Sequence, residues 1–283
     1  MTRLSDPTKE DPLVPLPLPA QAPAKTGMAQ LPDTRLYYTD TGGSGTPVVF
    51  MHPAGSGNPL LWGYQQPVFA AAGYRVIVYA RRGYYKSDPA SHERPGNAAD
   101  DLANLIKVLG LGKVHVVSSG AGGSVAADHA LSHPEQLLTL TVSNNYAGVR
   151  EGFIWDAAQR ARVPQWKDLP RWFREFSISY VVANPEGLKH WTDLQDDATR
   201  GSGIEQHSSN LITAEKLQEI KVPVLLLTGD ADLSSPPSLM RMLARHFSDA
   251  ELVVVPETGH SPYWERPQVF NAALLDFLGR HRA

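Results

Sequence analysis

Three short segments of the sequence carry residues that could do chemistry, and each directly follows a predicted strand. A glycine-rich turn, Ser118-Ser119-Gly120-Ala121-Gly122, stands where a strand runs into a helix. Asp230 and Asp232 follow a run of aliphatic residues, and His260 follows another. A carboxylate can hold an imidazole in one tautomer and stabilise its protonated form, so an aspartate and a histidine together can move a proton. The sequence therefore indicates acid–base chemistry close to a strand-to-helix turn.

The elements that position these segments form a regular alternation. Short apolar runs bounded by turn residues predict strands, and apolar residues at helical spacing predict helices. Because strands that alternate with helices pair in parallel, we expect a mostly parallel sheet that is covered on both faces. The predicted strands cover residues 35–39, 47–52, 74–79, 113–117, 137–142, 222–227 and 251–255, and the predicted helices cover 98–109, 122–132, 235–247 and 267–280.

Two stretches fall outside this alternation. Residues 1–30 are rich in proline, and four prolines interrupt the apolar stretch 13–24. We therefore expect an extended or disordered N-terminal arm rather than a signal peptide, with an arm that packs on a partner subunit as the alternative. Residues 148–215 are polar, aromatic and helix-rich, which predicts a helical lid inserted between the two parts of a core domain, 31–147 and 216–283.

The composition argues against several classes of function. A hydrophobic content of 42% and a charged content of 19% are ordinary for a soluble globular protein. The net charge of -3 includes no basic block, and no apolar run approaches the roughly 20 residues that span a bilayer. The chain has no cysteine, which rules out a disulfide or a thiolate nucleophile and is consistent with a reducing cytoplasm. We expect a cytoplasmic protein that binds neither nucleic acid nor membrane, and a homodimer is left open.

Several landmarks in chain order resemble those of the α/β-hydrolase fold superfamily, in particular its esterases and lactonases. The turn at 118–122 is in register with the G-x-S-x-G nucleophile elbow of that superfamily. From about residue 35 onwards, the resemblance implies an eight-stranded, mostly parallel sheet flanked by helices, with an inserted helical lid. The other landmarks are His52-Pro53-Ala54-Gly55, like the His-Gly turn; residues 80–87, like the D-x-R-G-x-G-x-S loop except at Ala80 and Tyr85; residues 229–232; and residues 258–267, like G-H-x-x-x-x-E-x-P.

The resemblance also implies a role for individual residues. The backbone N–H groups of Ala54 and Ala121 would form the oxyanion hole, which stabilises a tetrahedral intermediate. His260 would be the general base, and Asp232 would orient it, with Asp230 as the alternative acid. The other place from which such an acid can come holds Asn144 and its neighbour Asn145, which carry no carboxylate. No metal ion or cofactor is implied.

The nucleophile position in this register holds Gly120 instead of serine. Ser119 is the alternative nucleophile, but this choice would put β-branched Val117 where the tight turn needs a small residue. Three explanations stay open: a hydrolase inactivated by loss of its serine, an enzyme that uses His260 and Asp232 without a covalent step, as cofactor-independent lyases and dioxygenases do, and a non-catalytic ligand receptor. We adopt the first, which predicts a nearly inactive carboxylic ester or lactone hydrolase.

The substrate is predicted from the aromatic residues. Four of the six tryptophans lie in residues 148–215. Because ligand pockets are mostly apolar, they suggest a roof over an uncharged, apolar small molecule, although an insertion of this size also needs a core of its own. The predicted substrate-binding residues are His52, Trp62, Ser119, Trp155 and Trp172.

Overall fold

The structure is a computed structural model that describes residues 13–55, 57–91, 93, 95–198 and 206–282. Parts of the predicted segments fall outside the described residues. The longest of these parts are residues 1–12 of the N-terminal arm and 199–205 of the insertion.

A single eight-stranded sheet forms the centre of the molecule. Its strands are β1 (Lys25–Gln30), β2 (Arg35–Asp40), β3 (Pro47–Met51), β4 (Arg75–Tyr79), β5 (Val114–Ser119), β6 (Leu137–Ser143), β7 (Val224–Gly229) and β8 (Ala250–Val255). Their order in the sheet is β1-β2-β4-β3-β5-β6-β7-β8. Only β2 runs against its neighbours, β1 and β4, and all other pairs are parallel. The predicted fold class, an eight-stranded and mostly parallel sheet, is confirmed.

Helices cover both faces of the sheet, and alternate side chains of each strand pack under them. On the central strand β5, Val116 belongs to one hydrophobic cluster and Val117 to the other, and both are fully buried. Among the described residues, none of the helices combines the length and the apolar character needed to cross a membrane. The helices are α1 (Gln66–Ala71), α2 (Ala98–Val108), α3 (Gly122–Ser132), α4 (Gly152–Ala161), α5 (Arg171–Glu175), α6 (Ile178–Ala183), α7 (Pro185–Ala198), α8 (Pro237–Ala244), α9 (Pro262–Glu265) and α10 (Pro267–Arg280).

The segment inserted between β6 and β7 contains helices α4 to α7. Its aromatic residues Phe176, Tyr180 and Trp191 are buried and belong to the cluster that α9 and α10 also form. The ring centroids of Phe176 and Trp191 lie 4.9 Å apart in an edge-to-face contact. These aromatic side chains therefore attach the insertion to the main domain instead of facing a substrate.

The N-terminal residues lie along the main domain. Residues 25–30, placed in the arm by the sequence analysis, form the edge strand β1. Before this strand, the Tyr64 hydroxyl donates to the backbone oxygen of Leu16 at 2.7 Å. The Gln66 amide donates to the backbone oxygen of Ala22 and accepts from its N–H, both at 2.8 Å. The described part of the arm therefore packs on its own chain, and its boundary with the sheet is at Lys25.

Replacing Gln66 by methionine should release this part of the arm. The change keeps the side-chain volume but leaves both backbone groups of Ala22 without their partner, so we expect the free energy of unfolding to fall by about 1 kcal/mol. Urea denaturation measures this, and amide exchange at Ala22 should become faster. Gln218→Met, at an exposed position, is the matched control. Unchanged stability and exchange in Gln66→Met would show that these bonds do not hold the arm.

Candidate active site

The glycine-rich turn connects β5 to α3 at the carboxyl edge of the sheet. Gly120 has a φ of +50°, in the left-handed region that glycine adopts easily and other residues adopt with strain. A Cβ built on Gly122 would lie only 2.8 Å from the backbone oxygen of His52, which is too close for any side chain. This turn therefore has the sharp geometry that a nucleophile elbow requires, with a small residue where the backbones meet.

A buried carboxylate and a histidine lie beside this turn. Asp232 follows β7, His260 follows β8, and the His260 Nδ1 atom lies 3.0 and 3.1 Å from the two carboxylate oxygens of Asp232. Asp232 also accepts hydrogen bonds from the side chain of Asn144 at 2.7 Å and from the N–H groups of Ser234 and Ser235 at 2.7 and 3.0 Å. The side chain of Asp232 is fully buried, and these donors compensate for the burial of its charge. Asp230 instead accepts from the N–H of Thr258.

The two groups of this pair stabilise each other's charged form. Burial alone would lower the pKa of His260, but the charge and the hydrogen bond of Asp232 raise it to about 9. Burial would likewise raise the pKa of Asp232, but the charge and hydrogen bond of His260 and the hydrogen bond from Asn144 hold it below its usual value. At neutral pH the resting site is therefore an ion pair of imidazolium and carboxylate.

The second ring nitrogen of His260 is directed at Gly120. A Cβ built on Gly120 would lie 3.7 Å from the Nε2 atom of His260. The same Cβ would lie 2.8 Å from the Cβ of Pro53, so the Pro53 ring occupies part of the space that a side chain would need. A side chain at position 120 would thus point at the base and would also press against the proline.

A cavity of about 360 Å³ opens above this arrangement. Its lining includes Gly120, Ala121, Trp155 and His260 from the predicted site. The lining also includes Tyr146, Ser234 and two arginines, Arg150 and Arg162, so it is more polar than the apolar pocket expected from the sequence. The lining is polar because the buried aromatic residues of the insertion pack into the core instead of facing the cavity.

Buried hydrogen bonds hold the side chain of His52 in the turn that follows β3. His52 is 1% exposed; its Nδ1 atom donates to the backbone oxygen of Pro53 at 2.7 Å, and its Nε2 atom accepts from the N–H of Arg81 at 3.0 Å. Burial and the nearby Arg81 charge lower the pKa of His52 well below its usual value, so the ring is neutral, as these bonds require. Neither His52 nor Ala54 is among the described residues that line the cavity, and the oxyanion role of Ala54 remains a prediction.

Three other predicted substrate-binding residues also lie away from the cavity. Trp62 is fully buried, with its ring centroid 4.8 Å from that of Tyr263. Ser119 is 1% exposed and belongs to the buried strand β5. Trp172 is 38% exposed and packs edge-on against Phe173. Trp62 packs into the core because its ring needs a large apolar environment, and the one-residue step from Gly120 turns the side chain of Ser119 away from the cavity.

Two residues of the site were missed by the sequence analysis. Asn144, considered only because it lacks a carboxylate, holds Asp232. Glu265 is buried and accepts from the N–H groups of Gly259 and Ser261, on either side of His260, and of Ser177 in the insertion, at 2.8 to 3.2 Å. The glutamate of the G-H-x-x-x-x-E-x-P pattern was the available signal.

The comparison with known proteins agrees with this geometry. A model of the alpha/beta hydrolase family matches residues 48–273. The chain belongs to this family. A 2-hydroxy-6-oxononadienedioate/2-hydroxy-6-oxononatrienedioate hydrolase of Burkholderia vietnamiensis is 28% identical over 267 residues, which cover 88% of this chain and 92% of the relative.

Two solved structures of similar fold are also informative. A thermophilic esterase from Thermogutta terrifontis superposes with a TM-score of 0.72 at 25% identity, over 92% of this chain and all of the esterase. An enol-lactonase from Burkholderia xenovorans superposes with a TM-score of 0.71 at 23% identity, over 89% of this chain and all of the lactonase. The relatives support hydrolase activity in general, and the likeness to the lactonase shows the fold alone.

Replacing Asp232 by asparagine should lower the pKa of His260 well below 9, because the largest of the charges that oppose the burial of the ring would be removed. NMR titration of the His260 ring measures this. Asp230→Asn, two residues away and bonded to Thr258, is the matched control and should leave the titration near pH 9. An unchanged His260 pKa in Asp232→Asn would contradict the ion pair.

The same pair predicts how stability depends on pH. The raised pKa of His260 gives a contribution that is full below 6.5 and is lost as the pH rises through about 9. The lowered pKa of Asp232 gives a contribution that is present above 3.8 and is lost as the pH falls further. Urea denaturation across this range should show the Asp232→Asn protein losing most stability, relative to the unchanged chain, between these limits.

Replacing Glu265 by glutamine should loosen the loop that carries His260. One carboxylate oxygen becomes an NH₂ group that faces backbone N–H donors, so we expect a loss of about 1–3 kcal/mol in the free energy of unfolding. Urea denaturation measures the loss, and broadened NMR signals of His260 would report the looser loop. Glu135→Gln, at an exposed position, should change neither. Sharp, unshifted His260 signals would argue against this positioning role.

Proposed function

We propose that this fold performs hydrolysis of a carboxylic ester or lactone, with an acyl-enzyme formed on a serine at position 120, and that the Gly120 chain binds such a substrate but turns it over slowly. One observation carries the proposal: a Cβ on Gly120 would lie 3.7 Å from the His260 Nε2 atom. A serine hydroxyl extends about one bond further than its Cβ, so in this direction it would come within hydrogen-bond reach of that nitrogen.

Each remaining residue has a distinct part in this reaction. The hydroxyl oxygen at position 120 would attack the carbonyl carbon while the Nε2 atom of His260 takes its proton. Asp232 keeps the proton of Nδ1 in place, so Nε2 presents its lone pair to the hydroxyl. The imidazolium then returns a proton to the departing alkoxide, and water repeats the sequence to release the acid. The N–H of Ala121, in the cavity lining, and that of Ala54 would hold the oxyanion.

The relatives support the hydrolase class, and the Thermogutta terrifontis structure is named as an esterase. The ester or lactone bond is our choice within that class. It rests on the combination of a base, an orienting acid and a backbone N–H at the turn, which is the machinery of acyl transfer.

The protonation state of His260 sets the pH at which this chemistry can run. A base whose pKa is about 9 is largely protonated at neutral pH and cannot accept a proton from the nucleophile. Base catalysis should therefore increase from neutral pH to about pH 9, where the neutral imidazole becomes available.

A second candidate, direct attack by water without a covalent intermediate, is favoured by Pro53. Its Cβ would lie 2.8 Å from a Cβ at position 120, and a proline ring cannot rotate away as a flexible side chain can. A glycine avoids this contact and leaves space next to His260. In this version, His260 deprotonates a water molecule, and the chain is an enzyme in its present form.

Four proteins distinguish these routes: the chain itself, Gly120→Ser, Pro53→Gly and the double variant. Loss of the nucleophile costs about 10⁶-fold in a serine protease, so partial restoration should raise hydrolysis of p-nitrophenyl acetate about 10³-fold or more. We expect the double variant to be the most active, because Pro53→Gly relieves the contact with the new side chain. Mass spectrometry should detect the acylated protein, and adding His260→Ala should abolish the gain.

The opposite pattern supports the second candidate. In that case the unchanged chain hydrolyses the ester in a His260-dependent manner, no acyl adduct forms, and serine at position 120 lowers the rate. If all four proteins fold but none hydrolyses the ester above the His260→Ala background, both versions of the proposed function are wrong.

A further inference from the structure

The loops that follow β3 and β4 leave the sheet side by side. The two strands are parallel neighbours whose carboxyl ends are in register. Residues 52–54 and 80–82 therefore start from adjacent points at the edge of the sheet where the candidate site lies. The N–H of Arg81 donates to the Nε2 atom of His52 at 3.0 Å, which links the two loops through the imidazole ring. The loop after β4 thus supports the loop that carries Ala54.

The side chain of Arg81 also reaches the backbone of the neighbouring loop. Its Nη2 atom donates to the backbone oxygen of Pro53 at 3.2 Å, although the residue is only 8% exposed. Its guanidinium carbon lies 4.8 Å from the centroid of the Tyr84 ring, which packs edge-to-face against the ring of His52. Among the described residues, the buried Nε atom of Arg81 has no hydrogen-bond partner. A buried charge that is only partly satisfied contributes little to stability, so stability alone does not explain this position.

The Pro53 oxygen and the Ala54 N–H belong to one trans peptide unit. Because such a unit is planar, its C=O and N–H point in opposite directions, and fixing the oxygen fixes the direction of the N–H. Two donors hold this oxygen: the Nη2 atom of Arg81 at 3.2 Å and the Nδ1 atom of His52 at 2.7 Å. The Ala54 N–H is therefore directed away from both side chains. It makes no backbone hydrogen bond within the described part of the chain.

This oriented N–H lies close to position 120. The Cα atom of Pro53 would lie 3.5 Å from a Cβ built on Gly120, and the nitrogen of Ala54 is only two covalent bonds from that Cα. An N–H group that has a fixed direction and no backbone partner is what the stabilisation of an oxyanion requires.

We propose that Arg81 is a positioning residue: together with the His52 ring, its guanidinium fixes and polarises the Pro53–Ala54 peptide, so that the Ala54 N–H can donate to the oxyanion without reorganisation. The positive charge beside the carbonyl oxygen draws electron density from the peptide, which makes the N–H a stronger donor. The inference rests on the proposed function for the oxyanion itself. It applies to both routes, because attack by a serine or by water forms a tetrahedral intermediate.

The orientation of the N–H can be measured without turnover by NMR of the unchanged Gly120 chain. In Arg81→Met the Pro53 oxygen keeps only its bond from His52, so the amide order parameter of Ala54 should fall from about 0.85 to below about 0.6. The N–H residual dipolar coupling of Ala54 should shrink with it. Arg81→Lys keeps the charge and can supply one donor, so it should restore part of the loss.

Arg75→Met is the matched control for this measurement. It removes an arginine from the other end of the same strand β4, where the side chain pairs with Asp40 at 2.6 Å. We expect it to lower the free energy of unfolding without any change in the Ala54 values. Thermal unfolding of each variant checks that the protein is folded under the conditions of the NMR measurement.

Kinetics of the active form, either the unchanged chain or Gly120→Ser, provide a second test. Because the oxyanion forms only after the substrate has bound, Arg81→Met should lower kcat for p-nitrophenyl acetate about tenfold and leave KM within about twofold. This loss is smaller than that for removal of a donor, since the N–H is still present. Arg75→Met should change neither constant.

Unchanged Ala54 values in Arg81→Met would overturn the inference, and so would an equal change in Arg75→Met. A rise in KM alone would also contradict it, because that result would mean a role in substrate binding. If no form hydrolyses the ester while Ala54 loses its order only in Arg81→Met, the hydrolytic proposal fails and the positioning of the N–H stands. Hydrolysis that depends on His260, with unchanged Ala54 order in Arg81→Met, would give the reverse conclusion.

Discussion

The burial of the Asp232 carboxylate is the constraint on which the candidate site depends. An ionised carboxylate without partners would be too costly to bury, so the donors around it must be held in place. They come from the ends of three neighbouring strands: Asn144 after β6, Ser234 and Ser235 after β7, and His260 after β8. Asn144 itself has a φ of +56°, which directs its amide at the carboxylate. The buried charge of Asp232 thus requires the backbone turns at Asn144 and at Ser234 to keep their positions, and it orients the ring of His260.

The sheet was largely predictable because buried strands are short aliphatic runs, and the positions of Asp232 and His260 followed from their places after two such runs. The edge strand β1 was not predicted, since residues 25–30 contain few large apolar side chains and pair only with β2. Trp62 was misplaced for another reason: closeness in sequence to the oxyanion turn does not say on which side of a loop a ring packs. The polar residues of the cavity lining, such as Arg162, were not predicted because only the tertiary position of the insertion brings them to the cavity.

The alignment of His260 with position 120 and the contact at Pro53 favour different explanations of this site. An aligned pair of His260 and Asp232 has an obvious use when a hydroxyl stands at position 120, which favours a lost serine. Pro53 restricts the same space and is matched to a glycine. If a serine was lost from position 120, the alignment of His260 is explained but the contact with Pro53 is not. If glycine is the functional residue at this position, both features are explained only when His260 activates water. The contact between positions 53 and 120 therefore decides between covalent and direct hydrolysis.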